Sequence, residues 1–286
     1  MPQPPAMIES LDAVAAPYQT ILSDVWGVVH NGVRAFPQAT AALSRMRAQG
    51  KAVVLITNAP RPHEHVEEQL RLLGVPDESW DRVVTSGDVT RNLIREAPRK
   101  IFHIGPDRDL TIYEGIDVEL VEEFEADAVV CTGPFDDEKE TPEDYAELLA
   151  RLRARNLPFI CANPDIVVER GDRLIYCAGA LAREYGLLGG RTLIAGKPFR
   201  PIYEAAFEAA SEVLGRTVGP DDTLAIGDGA LTDLKGAAGM GIDVLYVASG
   251  IHIAEYQKDG RLDPALLSAF LEKHGHQPVA VIDRLV

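Results

Sequence analysis

The 286-residue chain carries only three cysteines, Cys131, Cys161 and Cys177, an odd number with no CxxC spacing. That argues against a disulfide scaffold and against a thiolate zinc site. Cys131 and Cys161 each end a short apolar run, AVVC and PFIC, where buried packing is the ordinary role of a thiol. No run approaches the roughly 18 apolar residues of a membrane helix. The opening residues, MPQPPAMIESLDAV, lack the basic stretch and apolar centre of a signal peptide. A cytoplasmic location is therefore expected. Basic residues are scarce as well: 28 Lys+Arg stand against 44 Asp+Glu, a formal net charge of -16. Such a surface opposes nucleic acid and anionic membrane, so neither is expected as a partner. A small anionic substrate stays open, because a pocket answers to its local charges. The 24 glycines and 19 prolines are ordinary in number and indicate no large disordered region.

What is present is an alternation of short apolar strands and amphipathic helices. TILSD (20–24), AVVLITN (52–58) and RVVTS (82–86) read as strands. The helix-like stretches 37–50 and 62–74 lie between them, each stopped by a glycine. This rhythm predicts a parallel sheet with helices on its faces and right-handed crossovers. Further strands are expected at 100–105, 126–133, 158–165, 192–198, 222–229 and 243–250, with helices at 142–156, 177–190, 200–214 and 231–240. The tail 255–286 reads as a helix and a final strand on the sheet edge. The middle block, about 87–188, is simplest as a second α/β unit inserted after the third strand, with Gly87 and Gly189–Gly190 as hinges.

Ligands of parallel sheets bind at the carboxyl ends of the strands, so the polar residues that end each strand carry the functional argument. Asp24 follows the first strand, and Thr57 and Asn58 end the second. Lys197 follows a later strand in IAGKP, and AIGDGALTDLKG delivers Asp228 and then Asp233. Paired carboxylates at a strand end suit a hard cation such as magnesium. They equally suit a glycine turn and a helix start. Lys197 offers a charge for phosphate or carboxylate, or is an ordinary lysine. Thr57–Asn58 offers a hydroxyl and an amide to an anion, or an Asx turn before Pro60.

Taken in order, SDVWG, LITN, GKP and GDGALTD resemble the four motifs of the haloacid dehalogenase-like (HAD) hydrolase superfamily. DVWGVVHNGVRAFPQA, TSGDVT, ADAVVCTG and CANPD add to the likeness, which spans roughly residues 18 to 250. The resemblance is to class IIA, the 4-nitrophenylphosphatase, phosphoglycolate and N-acetylglucosamine-operon phosphatase group. It implies a Rossmann-like parallel-sheet α/β core, residues 1–86 and 189–286, with an inserted α/β cap at 87–188. It also implies a magnesium-dependent phosphate-monoester hydrolase whose nucleophile is Asp24, forming an aspartyl-phosphate. Asp24, the Trp26 backbone carbonyl and Asp228 would hold Mg2+, with Asp233 supporting directly or through water. Thr57 and Lys197 would bind the transferring group, which Asn58 would orient. The substrate would be a small phosphorylated metabolite met by the cap segment 163–180, which contains Asp165, Arg170, Arg173 and Tyr176. Relatives of this class often pair through their caps, so a homodimer is expected on the same ground.

One residue departs from the pattern. Most phosphatases of the superfamily carry a second aspartate two residues after the nucleophile, and this chain has Trp26. An indole N–H donates a hydrogen bond and cannot serve as a general acid or base. Three readings follow: a phosphatase adapted to a good leaving group or protonated from elsewhere, with His30 and Asp165 as candidate donors; a phosphotransferase; or a non-catalytic phosphate-ligand binding protein. Dehalogenases of the superfamily also place an aromatic residue here but work without magnesium, and Asp228 with Asp233 argue against that chemistry. The first reading is the expectation, because every other motif residue is in place.

Overall fold

The structure, a computed structural model, describes residues 5–171, 173–275 and 277–286. In chain order its strands begin with β1 (Ala6–Ile8), β2 (Thr20–Ser23), β3 (Ala52–Thr57) and β4 (Arg82–Thr85). Next come β5 (Lys100–Ile104), β6 (Glu119–Leu120), β7 (Ala128–Cys131), β8 (Phe159–Cys161), β9 (Val167–Arg170), β10 (Arg173–Tyr176) and β11 (Thr192–Ile194). The last are β12 (Thr223–Gly227), β13 (Asp243–Val247), β14 (Gln257–Lys258), β15 (Arg261–Leu262) and β16 (Ala280–Ile282). The chain divides into two compact units: residues 1–57, 67–84 and 203–286 form one, residues 58–66 and 85–202 the other.

The first unit is built on a seven-stranded sheet in the order β1-β16-β13-β12-β2-β3-β4. The pairs β1–β16, β16–β13, β13–β12, β12–β2 and β2–β3 are parallel. Every residue of β2, β3 and β12 is buried, as expected of central strands covered on both faces. The final strand β16 is not the edge anticipated from the tail. It pairs with β13 on one side and with β1 on the other, so the edge is Ala6–Ile8. Three residues are too few for a periodic signal, and only the long-range pairing with β16 makes them a strand.

The second unit carries a five-stranded sheet in the order β11-β8-β7-β5-β6, again parallel, and the separate antiparallel hairpin β9–β10. Alternation along its strands feeds two apolar clusters. Val129, Cys131, Phe159 and Cys161 pack with Leu149, Leu152 and Leu181 from the helices Ala146–Ala154 and Ala178–Leu187. Val130, Ile160 and Ile101 pack with Ile94 from the helix Ser86–Glu96. All three cysteines are buried free thiols, and burial raises the pKa of each.

The unit boundaries differ from the expected 87–188. β11 was assigned to the core, yet it pairs with β8 in the second sheet, and the chain re-enters the first unit only after Ile202. An apolar triplet such as TLI suits either sheet, and pairing alone decides. Gly87 is not a hinge. It lies in the helix Ser86–Glu96, donates its N–H to the Ala59 carbonyl, and packs so closely that a Cβ would strike the Arg61 backbone. Among the described residues no helix is long and apolar enough to cross a membrane.

Candidate active site

The first sheet runs from β2 through β3 to β4 on one side, then returns to place β12 on the other side of β2. The strand order therefore reverses between β2 and β12, and in open parallel sheets that reversal opens a crevice at the carboxyl ends. Asp24 follows β2 and Asp228 follows β12. The Asp24 N–H donates to the Ile226 carbonyl at 2.8 Å, tying the two strand ends together. Asp233 comes back to the same place through a widened turn, Ala230–Leu234, in which the Gly229 carbonyl accepts from both the Asp233 and Leu234 N–H groups. Such single wide turns are frequent at functional sites.

The three carboxylates are 5–6% exposed, and each offers an oxygen within 4.8 Å of the others. Three carboxylates brought this close could together hold a cation. Backbone donors orient the acids: Ile251 N–H donates to Asp228 Oδ2 at 2.8 Å and Gly229 N–H to Asp233 Oδ2 at 3.0 Å. Glycine is required around Asp228. A Cβ at Gly27, which has φ +86°, or at Gly250 would collide with its carboxylate. An all-oxygen, all-anionic donor set of this kind fits a hard divalent cation such as magnesium.

The loop after Asp24 folds on itself. Val29 and His30 donate N–H groups to the Val25 carbonyl, and Gly27 donates to the His30 carbonyl at 2.8 Å. The half-buried Trp26 ring meets His30 edge-on at 5.0 Å. His30 Nδ1 accepts from Gly32 N–H at 3.0 Å, so His30, a candidate proton donor in the sequence, braces this loop. Thr57 ends β3, the neighbour of β2, and is 5% exposed.

Asn58, Asp165 and Lys197 belong to the second unit, where they are joined. Asn58 Nδ2 donates to Asp165 Oδ1 at 2.9 Å and to the Lys197 carbonyl at 3.2 Å, while its Oδ1 accepts from Lys197 N–H at 2.8 Å. Both amide hydrogens are thus engaged, and the geometry makes Asn58 a clamp on the Lys197 backbone where the sequence suggested an anion donor. The Lys197–Pro198 peptide is cis. Asp165 N–H donates to Asn163 Oδ1 at 3.1 Å. Arg170 and Arg173 sit on the hairpin β9–β10 and bind Asp137 and the Glu138 carbonyl. The structure therefore groups Asp24, Trp26, Thr57, Asp228 and Asp233 in one unit and Asn58, Asp165 and Lys197 in the other.

Two contributors escaped the sequence. The Gly250–Ile251 turn after β13 supplies a donor to Asp228, and only the strand-ending glycine hinted at it. His252 Nε2 accepts from Ala230 N–H at 3.3 Å, and its Nδ1 faces Glu255 Oε1 at 3.0 Å. Burial lowers the His252 pKa, with Glu255 pulling the other way, which suits an imidazole acting as acceptor.

Comparison with known proteins gives consistent matches. A family model described as haloacid dehalogenase-like hydrolase matches residues 21–119, and a second, HAD-hydrolase-like, matches residues 194–285. A crystal structure of a haloacid dehalogenase-like family hydrolase from Brucella suis 1330 is 62% identical, with a TM-score of 0.89 over 98% of this chain and 100% of that one. The p-nitrophenyl phosphatase from Archaeoglobus fulgidus, 22% identical, shares the fold with a TM-score of 0.67 over 93% of this chain and 96% of that one. The glycerol-3-phosphate phosphatase of Gallus gallus is 27% identical over 86% of this chain and 85% of its own length.

Proposed function

This chain belongs to the haloacid dehalogenase-like hydrolase family, and on that premise we propose that it is a magnesium-dependent phosphate-monoester hydrolase acting through an aspartyl-phosphate on Asp24. The observation that carries the reading is the cluster of Asp24, Asp228 and Asp233 at the reversal between β2 and β12. The phosphatase named from Gallus gallus supports phosphate-monoester hydrolysis as the reaction class. Those three acids and the Trp26 backbone carbonyl would hold the magnesium, which when bound neutralises charge on the phosphoryl oxygens.

Asp24 attacks phosphorus, and the bond to the ester oxygen breaks, that oxygen leaving with the electron pair and taking a proton. Thr57 and Lys197 hold the transferring group, the lysine presented by the Asn58 clamp on its backbone. Water then attacks the phosphorus of the acyl phosphate, releasing inorganic phosphate and restoring the Asp24 carboxylate. Trp26 gives no proton to the leaving oxygen, so solvent supplies it. The enzyme consequently prefers acidic leaving groups, acyl and aryl phosphates over alkyl ones, among small cytoplasmic metabolites.

Phosphate release from an acyl phosphate and from an aryl phosphate, with and without magnesium, tests this. Release should require the metal. Trp26→Asp should speed the aryl ester by about 10²-fold, the low end of what a general acid contributes. Trp26 also sustains a second reading, a phosphate-binding protein without turnover. Ligand-induced stabilisation with no product from either ester would favour it.

A further inference from the structure

The loop that carries Asp228 and Asp233 depends on a partner outside it. The first N–H groups of a helical turn have no acceptor within that turn, and the same holds at the start of Ala230–Leu234. Gly229 N–H is taken by Asp233 Oδ2 at 3.0 Å. Ala230 is fully buried, so water does not serve its N–H, and the acceptor is His252 Nε2 at 3.3 Å. Ala230 stands two residues after Asp228 and three before Asp233. A shift of its peptide therefore turns both carboxylates.

An imidazole accepts at Nε2 only when that nitrogen carries no proton. Glu255, three residues on in the helix Ile253–Tyr256, secures this condition. Its Oε1 lies 3.0 Å from His252 Nδ1, and a carboxylate accepts without donating, so the proton belongs on Nδ1 and the lone pair on Nε2. Lys273 Nζ lies 3.8 Å from the other Glu255 oxygen. Phe270, from the helix Pro264–His274, backs the imidazole with ring centroids 5.0 Å apart.

The preceding residue completes the hold. Ile251 N–H donates to Asp228 Oδ2 at 2.8 Å. Two consecutive residues after β13 thus grip one acidic loop, Ile251 through the Asp228 side chain and His252 through the Ala230 peptide. All of these groups lie in the first unit.

We propose that His252 is a positioning residue for the metal site: with its proton held on Nδ1 by Glu255, it fixes the Ala230 peptide and so sets the aim of Asp228 and Asp233. Groups that orient metal ligands without touching the metal govern affinity by about 10- to 100-fold. This role rests on the magnesium-dependent reading above and gives it a residue that touches neither metal nor substrate.

Two near-isosteric substitutions separate the two ring nitrogens. Gln places its amide oxygen where Nε2 stands, whereas the polar end of Asn reaches only to Nδ1. Magnesium affinity, measured by calorimetry at neutral pH, should fall about tenfold or more in His252→Asn and stay near wild type in His252→Gln. In the 15N spectrum of histidine-labelled, metal-free protein, the His252 signal is assigned by its loss in His252→Gln. It should show the Nδ1–H tautomer, and Glu255→Ala should shift it towards Nε2–H and weaken magnesium binding in step. Wild-type protein that binds no magnesium would overturn the hydrolytic reading and this role together. Magnesium bound equally by wild type and His252→Asn, or as weakly by His252→Gln as by His252→Asn, would overturn the role alone. So would an Nε2–H tautomer in the folded wild-type protein.

Discussion

The two sheets of this chain follow one topological rule and arrive at opposite chemistries. Each is parallel, and each reverses its strand order once, between β2 and β12 in the first and between β5 and β7 in the second. At the first reversal stand three buried carboxylates, oriented by backbone N–H groups and pressed by glycines. At the second, Thr132 packs tightly against Gly105, and Arg61, Arg108 and Arg170 pair with Asp109 and Asp137. Topology decides where a crevice forms, and the side chains at the strand ends decide what it holds. One reversal gathers three carboxylates that suit a cation, and the other is closed by packing and ion pairs.

The contrast can be broken in order of effect. Asp24→Asn should lower phosphate release on the order of 10⁴-fold or more, as loss of a covalent nucleophile does. A residual rate near wild type would remove Asp24 from the chemistry.

Acid should expose the second region first. His103 is neutral when folded, with a pKa of about 4, and ordinary at 6.5 when unfolded. Below pH 6.5 the unfolded chain therefore binds a proton that the folded chain refuses, so stability falls as pH drops from 6.5 towards 4. The loss is at most roughly 3 kcal/mol. Denaturant unfolding of wild type and His103→Gln at both ends of that window isolates the contribution, because the variant should lose less. Equal losses in the two proteins would acquit His103.

Asn58→Ala removes three hydrogen bonds, two of them buried, and should cost about 2 kcal/mol of stability, read as a lower denaturant midpoint. Gly250→Ala should weaken magnesium binding about tenfold or more by displacing the Asp228 carboxylate, measured by calorimetry. An alanine there that binds metal normally would mean that the Gly250–Asp228 approach has no bearing on the site.

Much of the first region was legible in the sequence because its chemistry sits on strand ends. A buried strand announces itself as an apolar run, and the polar residue that stops it is marked by position. Asp24, Thr57, Asp228 and Asp233 were all marked that way, and the structure brings a carboxylate oxygen of each aspartate within 4.8 Å of the others. Lys197 was also marked, yet it falls in the second unit, joined to Asn58, because β11 pairs with β8. An apolar triplet carries no sign of which sheet it will join. β1 was invisible for a related reason, since its partner β16 lies at the other end of the chain. Residue type shows only that the Asn58 amide can bind an anion, and coordinates add that its hydrogens are shared between Asp165 and the Lys197 carbonyl. His103 and Thr132 raised no signal at all. Their close approach at Gly105 is a property of packing.

The claim that Asp24 is a covalent nucleophile is tested most directly by mixing the protein with magnesium and an acyl phosphate, quenching in acid, and mapping phosphoryl groups on its peptides. The account predicts phosphorylation confined to the peptide containing Asp24, absent in Asp24→Asn and absent without magnesium. Phosphate release from the wild-type protein with the label on another residue, or with the same label in Asp24→Asn, would contradict it.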